Sequence, residues 1–276
     1  MKFVLPITFL VSALLTTNIE AKQHFTPGLS WDYLLGASNS VAKASNKQVV
    51  TIDLEQASGL VSYLHGKGQK VICYFSGGTM QKSRKIDYDD YVKAGVALPE
   101  VSAWGNHYID IRKKDKLQPL IRNRMKRAKS YGCDGVKVDS IDSYRYGVGG
   151  LKQSDSVVFD KWLAETAHDE DIAVGLKNAK SIAAELQPYF DFAVVESCAE
   201  SANVCNSFTP FTDHGKAVFT VHYGNRIDKL KEHGGSIEST LSKELGGHGF
   251  TCAFNDHQDL HHNSINFDCS KGNIEK

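Results

Sequence analysis

The sequence predicts a single-domain (β/α)8 barrel of the α/β class, and three segments carry that prediction. GCDGVKVDSIDSY at 132–144, AVGLKN at 173–178 and DFAVVESCAESANVC at 191–205 each contain a short apolar, β-branched run. These runs end at a polar residue: Asp139, Asn178 and Glu196. Apolar strands with acids at their C-terminal ends are how a parallel barrel presents chemistry at one mouth.

The elements follow in order. Residues 1–21 have the pattern of a secretory signal, with Lys2, an apolar stretch from Phe3 to Leu15, and Ala21 before cleavage. That stretch is short for a bilayer span, and no later segment is long enough for one. The expectation is an extracellular, secreted domain over 22–276, with no integral membrane segment and with a C-terminal extension from about 246. Its length suits one barrel.

Strands are predicted at 31–35, 49–54, 70–76, 107–111, 135–140, 173–178, 192–197 and 217–223. Between them, 56–66, 117–131 and 156–168 have apolar residues at helical spacing, with Pro119 expected in a first turn. Alternating strands and helices require a parallel sheet. Eight strands favour a closed barrel, with an open doubly wound sheet as the alternative. The glycines of YGVGG at 146–150 lack the spacing of a dinucleotide loop.

Thirty-two basic and 32 acidic residues balance, which gives no electrostatic case for nucleic acid. The basic run at 112–129 alternates with Leu117, Leu120, Ile121, Met125 and Ala128, the pattern of a solvated outer helix face. Six cysteines in an exported chain suggest disulfides. Cys198 with Cys205 would staple the loop after Glu196, and Cys252 with Cys269 would tie down the tail. Cys73 and Cys133 read as small buried hydrophobes. The cysteines match no metal-site spacing, and His257, His261 and His262 read as a solvated loop, so neither metal nor cofactor is expected.

Strand parity puts Lys137 and Asp139 on one face and Val136 and Val138 on the other. Applied along the chain, it gathers Asp53, Ser76, Asp110, Asp139, Asn178, Glu196 and His222 at strand ends. Two converging carboxyls suit glycoside hydrolysis, which needs one protonated and one ionised. Lys137 favours the charged form of Asp139, which makes Asp139 the nucleophile or charge stabiliser and Glu196 the proton donor. Trp31, Tyr33, Tyr74, Trp104, Tyr108, Tyr144 and Tyr223 are candidates for stacking on sugar rings or for ordinary packing.

WDYLLG, VVTIDL, KVICYFSGGTMQKSR, HYIDI, GCDGVKVDSIDSY, KWLAETAHDEDIAVGLKN, DFAVVESC and GKAVFTVHY occur in order over most of the chain. Together they resemble glycoside hydrolase family 114, the endo-α-1,4-polygalactosaminidase type. The resemblance implies a (β/α)8 barrel acting on α-1,4-linked galactosamine polymers, with Asp139 as nucleophile and Glu196 as acid/base. Around this pair the substrate-binding set is Trp31, Asp53, Tyr74, Ser76, Asp110, Lys137, Asp142, Tyr144, Lys177, Asn178, His222 and Tyr223. The chain departs from the family pattern at Lys137, near Gln81 and at His222, where the family carries Glu, and at Ser140, where it carries Asn. The three Glu changes remove negative charge from the cleft, which shifts the expected preference from cationic toward acetylated or neutral sugars. A catalytically silent glycan-binding barrel and a metal-dependent hydrolase are the competing readings.

Overall fold

A computed structural model of the chain describes residues 25–231 and 235–274. The predicted signal segment lies outside the described residues. In chain order the strands are β1 (Trp31–Leu34), β2 (Val49–Asp53), β3 (Lys70–Ser76), β4 (Thr79–Met80), β5 (Ala97–Val101), β6 (His107–Ile109), β7 (Gly135–Asp139), β8 (Ala173–Lys177), β9 (Phe192–Glu196), β10 (Val218–Tyr223), β11 (Thr251–Asn255) and β12 (Ile265–Phe267). One sheet runs β1-β2-β3-β7-β8-β9-β10-β11-β12, parallel through β11. It curls until β11 approaches β1, giving the (β/α)8 barrel with helices outside.

Seven of the eight predicted strands are barrel staves; the remaining one lies elsewhere, and the eighth stave comes from the tail. His107–Ile109 instead joins an antiparallel sheet, β4-β6-β5, inserted after β3. The eighth stave is β11, so the segment from about 246 completes the barrel. Antiparallel β12 then pairs with β11 and reaches β1 through side chains. Asn266 accepts from the Trp31 amide at 2.8 Å and donates to the Trp31 carbonyl at 2.7 Å. Ser264 Oγ accepts from the Tyr33 amide, and outward-facing Asp32 accepts from the Ser264 amide. These bonds satisfy β1 backbone groups that would otherwise lie buried along an open edge.

Parity sorts the core as expected. Trp31, Tyr33, Val49, Ile72, Phe192, Val194, Phe219, Val221 and Tyr223 fill the barrel, and Phe25 packs on Phe192 with ring centroids 4.6 Å apart. Val50, Ile52, Val136, Val138 and Val174 face the helices. Gly175 leaves room inside for Phe192: a Cβ there would lie 2.2 Å from its ring.

The predicted helices form as Ala57–Gly66, Lys114–Ser130 and Gln153–Asp169. The second starts a turn earlier than expected and carries Pro119 in its interior. Its basic face is also not simply solvated. Arg124 is buried, holds Asp87 at 2.6 and 2.8 Å, and donates to the Ser76 carbonyl at the end of β3. Arg122 binds Glu170 and Arg127 binds Glu55, so the cations tie helix to helix.

The predicted Cys198–Cys205 and Cys252–Cys269 bridges are present. Cys73 and Cys133 form a third disulfide instead of standing as free hydrophobes. Cys73 faces outward from β3, whose neighbour β7 begins just after Cys133, and the fold brings their Cα atoms to 6.0 Å. Among the described residues no helix is long and apolar enough to cross a membrane.

Candidate active site

The C-terminal mouth of the barrel is built at the ends of β7, β8 and β9. Each of these strands is followed by a non-glycine residue in the left-handed region: Ser140 (φ 61°), Asn178 (φ 52°) and Ser197 (φ 58°). These turns lift the chain sharply off the sheet and leave Asp139, Lys177 and Glu196 at the lip. The chain after β3 crosses close by, and Gly78 is required there because a Cβ would lie 1.8 Å from the Ser140 carbonyl oxygen.

Asp139 and Glu196 are each about a quarter exposed, with side-chain values of 25% and 24%. A closed ring of polar contacts joins them. Lys137 Nζ lies 2.7 Å from Asp139 Oδ2 and donates to the Tyr33 hydroxyl at 2.6 Å. Tyr33 donates to Glu196 Oε1 at 2.9 Å. Lys177 Nζ lies 3.2 Å from Glu196 Oε2 and 3.7 Å from Asp139 Oδ1. The Tyr223 hydroxyl also bonds Glu196. From the backbone, Ser140 N–H donates to Asp139, while the Glu196 N–H is held by the Asn178 side chain.

The charges act on one another. Burial works to raise the Asp139 carboxyl, but the ammoniums of Lys137 and Lys177 outweigh it and hold Asp139 well below the usual carboxylate range. Burial also lowers Lys137, against the pull of Asp139. For Lys177 the two carboxylates overcome burial and push the ammonium up, so it stays charged. Burial, reinforced by nearby carboxylates, raises Tyr33 and Tyr223, which keeps both hydroxyls as donors.

The remaining predicted residues divide. Tyr74 lies beneath the ring, with Lys137 Nζ 4.6 Å from its centroid. Asp53 sits at the rim, paired with Arg84 at 2.8 Å. Asp142 is nearly buried and holds Arg145 at 2.8 Å, so it anchors that guanidinium.

Six predicted positions are buried or placed away from the open mouth. Trp31 is wholly buried a layer below the mouth, stacked on Tyr33 and donating to Thr51. Ser76 is buried against Thr79, where it closes the turn after β3. Asp110 lies off the barrel and binds Arg112. Tyr144 packs on the outer apolar cluster, and exposed Tyr146 lines the mouth in its place. His222 faces outward, because Phe219, Val221 and Tyr223 take the inner face of β10. Its Nε2 accepts from the Ala199 amide, and burial lowers it to about 4. Tyr223 itself is almost completely buried beside Glu196.

Tyr33, read from sequence only as an aromatic near a strand end, is the member of this ring of contacts most undervalued there. Its signal is parity with Trp31, one layer nearer the mouth. Among the described residues no group of His, Cys, Asp and Glu could hold a metal ion.

A parallel barrel with two part-exposed carboxylates converging at the C-terminal ends of its strands has the architecture of a barrel glycoside hydrolase. The sequence model described as glycoside-hydrolase family GH114 matches residues 14–272, and the chain belongs to that family. It is a glycoside hydrolase. Among solved structures it is similar to Aspergillus fumigatus Ega3 in complex with galactosamine, at 26% identity and a TM-score of 0.76, over 88% of this chain and 96% of that one. The glycoside hydrolase domain of PelA from Pseudomonas aeruginosa shares the fold at 15% identity and a TM-score of 0.64, over 87% of this chain and 98% of that one. No curated protein matches the chain.

Proposed function

We propose that this protein is a secreted glycoside hydrolase that cleaves α-1,4-linked galactosamine or N-acetylgalactosamine polymers with two carboxylates. Asp139 is the nucleophile and Glu196 the acid/base. One observation carries the reading: both acids reach the same mouth from β7 and β9, and one ammonium, Lys177, contacts them both. The amino-sugar substrate draws support from the similarity to Ega3, a structure that contains galactosamine. Three disulfides agree with an exported protein.

In this mechanism Asp139 attacks the anomeric carbon as an anion, and its low pKa suits that role. Glu196 protonates the departing oxygen and then activates water. Lys137 and Lys177 balance the two carboxylates, so the centre has no net negative charge to draw a polycation, which favours acetylated units.

The test is product analysis by mass spectrometry on galactosamine polymers of graded acetylation, with wild type beside Glu196→Gln. Short oligosaccharides from wild type, with turnover about 10²–10⁴-fold lower in the variant, are expected. Glycan binding without cleavage by wild type would refute the hydrolytic reading in favour of a silent binding barrel. A clear preference for the fully deacetylated polymer would refute the acetylated one.

A further inference from the structure

Beside Glu196 the mouth opens into a cavity of about 460 Å³ whose lining includes Glu196 but not Asp139. That size falls in the range of small-ligand pockets. One wall is the loop after β9, fixed by the Cys198–Cys205 bridge and by the Ser197 amide, which donates to the Val221 carbonyl. The wall is therefore stapled on both sides of its turn.

The charged lining is unequal. Arg145, Lys180, Arg226 and Lys229 come from the segments after β7, β8 and β10, against Glu196 and Glu200. Glu200 is held through both oxygens by Arg226. Arg145 is paired with Asp142, and Glu196 shares Lys177. The lining still carries two more cations than carboxylates, because Glu200, which Lys229 also faces, is held by Arg226; Lys180 and Lys229 are exposed at its edge. A sugar bearing a free ammonium would meet like charges here, whereas an anionic sugar would find the two rim ammoniums of Lys180 and Lys229.

We propose that this cavity is a subsite for a sugar unit carrying an anionic substituent, either a carboxylate or a sulfate ester. Resting on the reading of Glu196 as proton donor, the cavity lies on the leaving-group side of the cut bond. The substrate is then a mixed polymer with an acidic unit beside the amino sugar.

The test measures binding by calorimetry in the Asp139→Asn background, which stops cleavage without altering the cavity lining. The probes are oligogalacturonate, a sulfated galacto-oligosaccharide, a neutral galacto-oligosaccharide and a galactosamine oligomer. An anionic probe is expected to bind about tenfold tighter than the neutral one, as one or two partly exposed ion pairs allow, with the advantage shrinking in salt. Lys180→Glu with Lys229→Glu, both surface changes, should abolish that advantage. The carboxylated and sulfated arms decide which group is taken.

Equal or tighter binding of the neutral or cationic probe overturns the proposal, and so does a preference that survives the charge reversals. Wild-type hydrolysis of a galactosamine polymer is assayed in parallel. Cleavage without anion preference removes this subsite alone. Anion preference without cleavage leaves the subsite and removes the reading of the reaction.

Discussion

Replacing Lys137 with Met tests whether a buried lysine sets the ionisation of the nucleophile. Lys137 is fully buried, and its Nζ contacts Asp139 at 2.7 Å and Tyr33 at 2.6 Å. Met keeps most of the length and removes the charge. Asp139 would retain the Ser140 amide at 2.7 Å and the more distant Lys177 at 3.7 Å. A hydrogen bond to a charged group contributes about 1.5–3 kcal/mol, which corresponds to roughly one to two pH units of carboxyl shift. The sign follows from the mechanism: the nucleophile works ionised, so activity falls as pH drops through its pKa. In wild type that pKa lies below the ordinary carboxylate range. Removing Lys137 lets burial push it upward, and the acidic limb of kcat/KM should rise by about one to two pH units. The assay is a pH profile of kcat/KM for both proteins on the cleaved polymer. An unmoved acidic limb, with activity reduced equally at every pH, would refute the reasoning and leave Lys137 a packing role only.

Two stability predictions accompany it. Cys73 and Cys133 are 60 residues apart and Cys198 and Cys205 only 7, so chain entropy assigns the first bridge about 4 kcal/mol and the second between about 2 and 3. Denaturant unfolding of the two paired Cys→Ala variants should rank them in that order. Burial depresses His222 to about 4 from an ordinary 6.5, so the folded state favours the neutral ring. Stability from this group is complete above pH 6.5 and is lost as pH falls toward 4. The loss is on the order of 3 kcal/mol. Measured against pH, the unfolding free energy of His222→Gln should lack that acid-side decline, and a parallel decline in both proteins would count against it.

Legibility followed the period-2 alternation of strands and failed where that alternation is ambiguous. Lys137 and Asp139 stand out because VKVD places polar groups on one face only. Barrel strands are apolar on both faces, so alternation alone does not say which face is inside. In VFTVHY, His222 and Tyr223 both look like site residues although adjacent side chains cannot share a face; the apolar residues Phe219 and Val221 decide for Tyr223. HYIDI has the same signature as a barrel strand, and only three-dimensional pairing reveals its separate sheet. TCAFN is hard to read as a strand because it is short and follows the glycine-rich GGHGF, where it looks like tail. The Cys73–Cys133 bridge is not legible in sequence because it depends on strand order, which brings β3 beside β7 across the whole small-sheet insertion.

The strained turns explain why the two acids can stay so close. Left-handed backbone at a non-glycine residue costs on the order of 1–3 kcal/mol and persists only where its surroundings impose it. Here the Ser140 amide binds Asp139, the Asn178 amide binds the Val194 carbonyl, and the Ser197 amide binds the Val221 carbonyl. Each bond ties a turn either to a candidate catalytic group or to the neighbouring strand. The turns therefore hold Asp139, Lys177 and Glu196 from three adjacent staves without relying on loop packing. Two carboxyls brought together in this way cannot both ionise freely. The lysines bias the pair toward an ionised Asp139: Lys137 contacts it directly, and Lys177 contacts both acids from the stave between them. Backbone strain fixes the geometry and buried ammoniums make it electrostatically tolerable, so a change at either level should reach the chemistry through the same two oxygens.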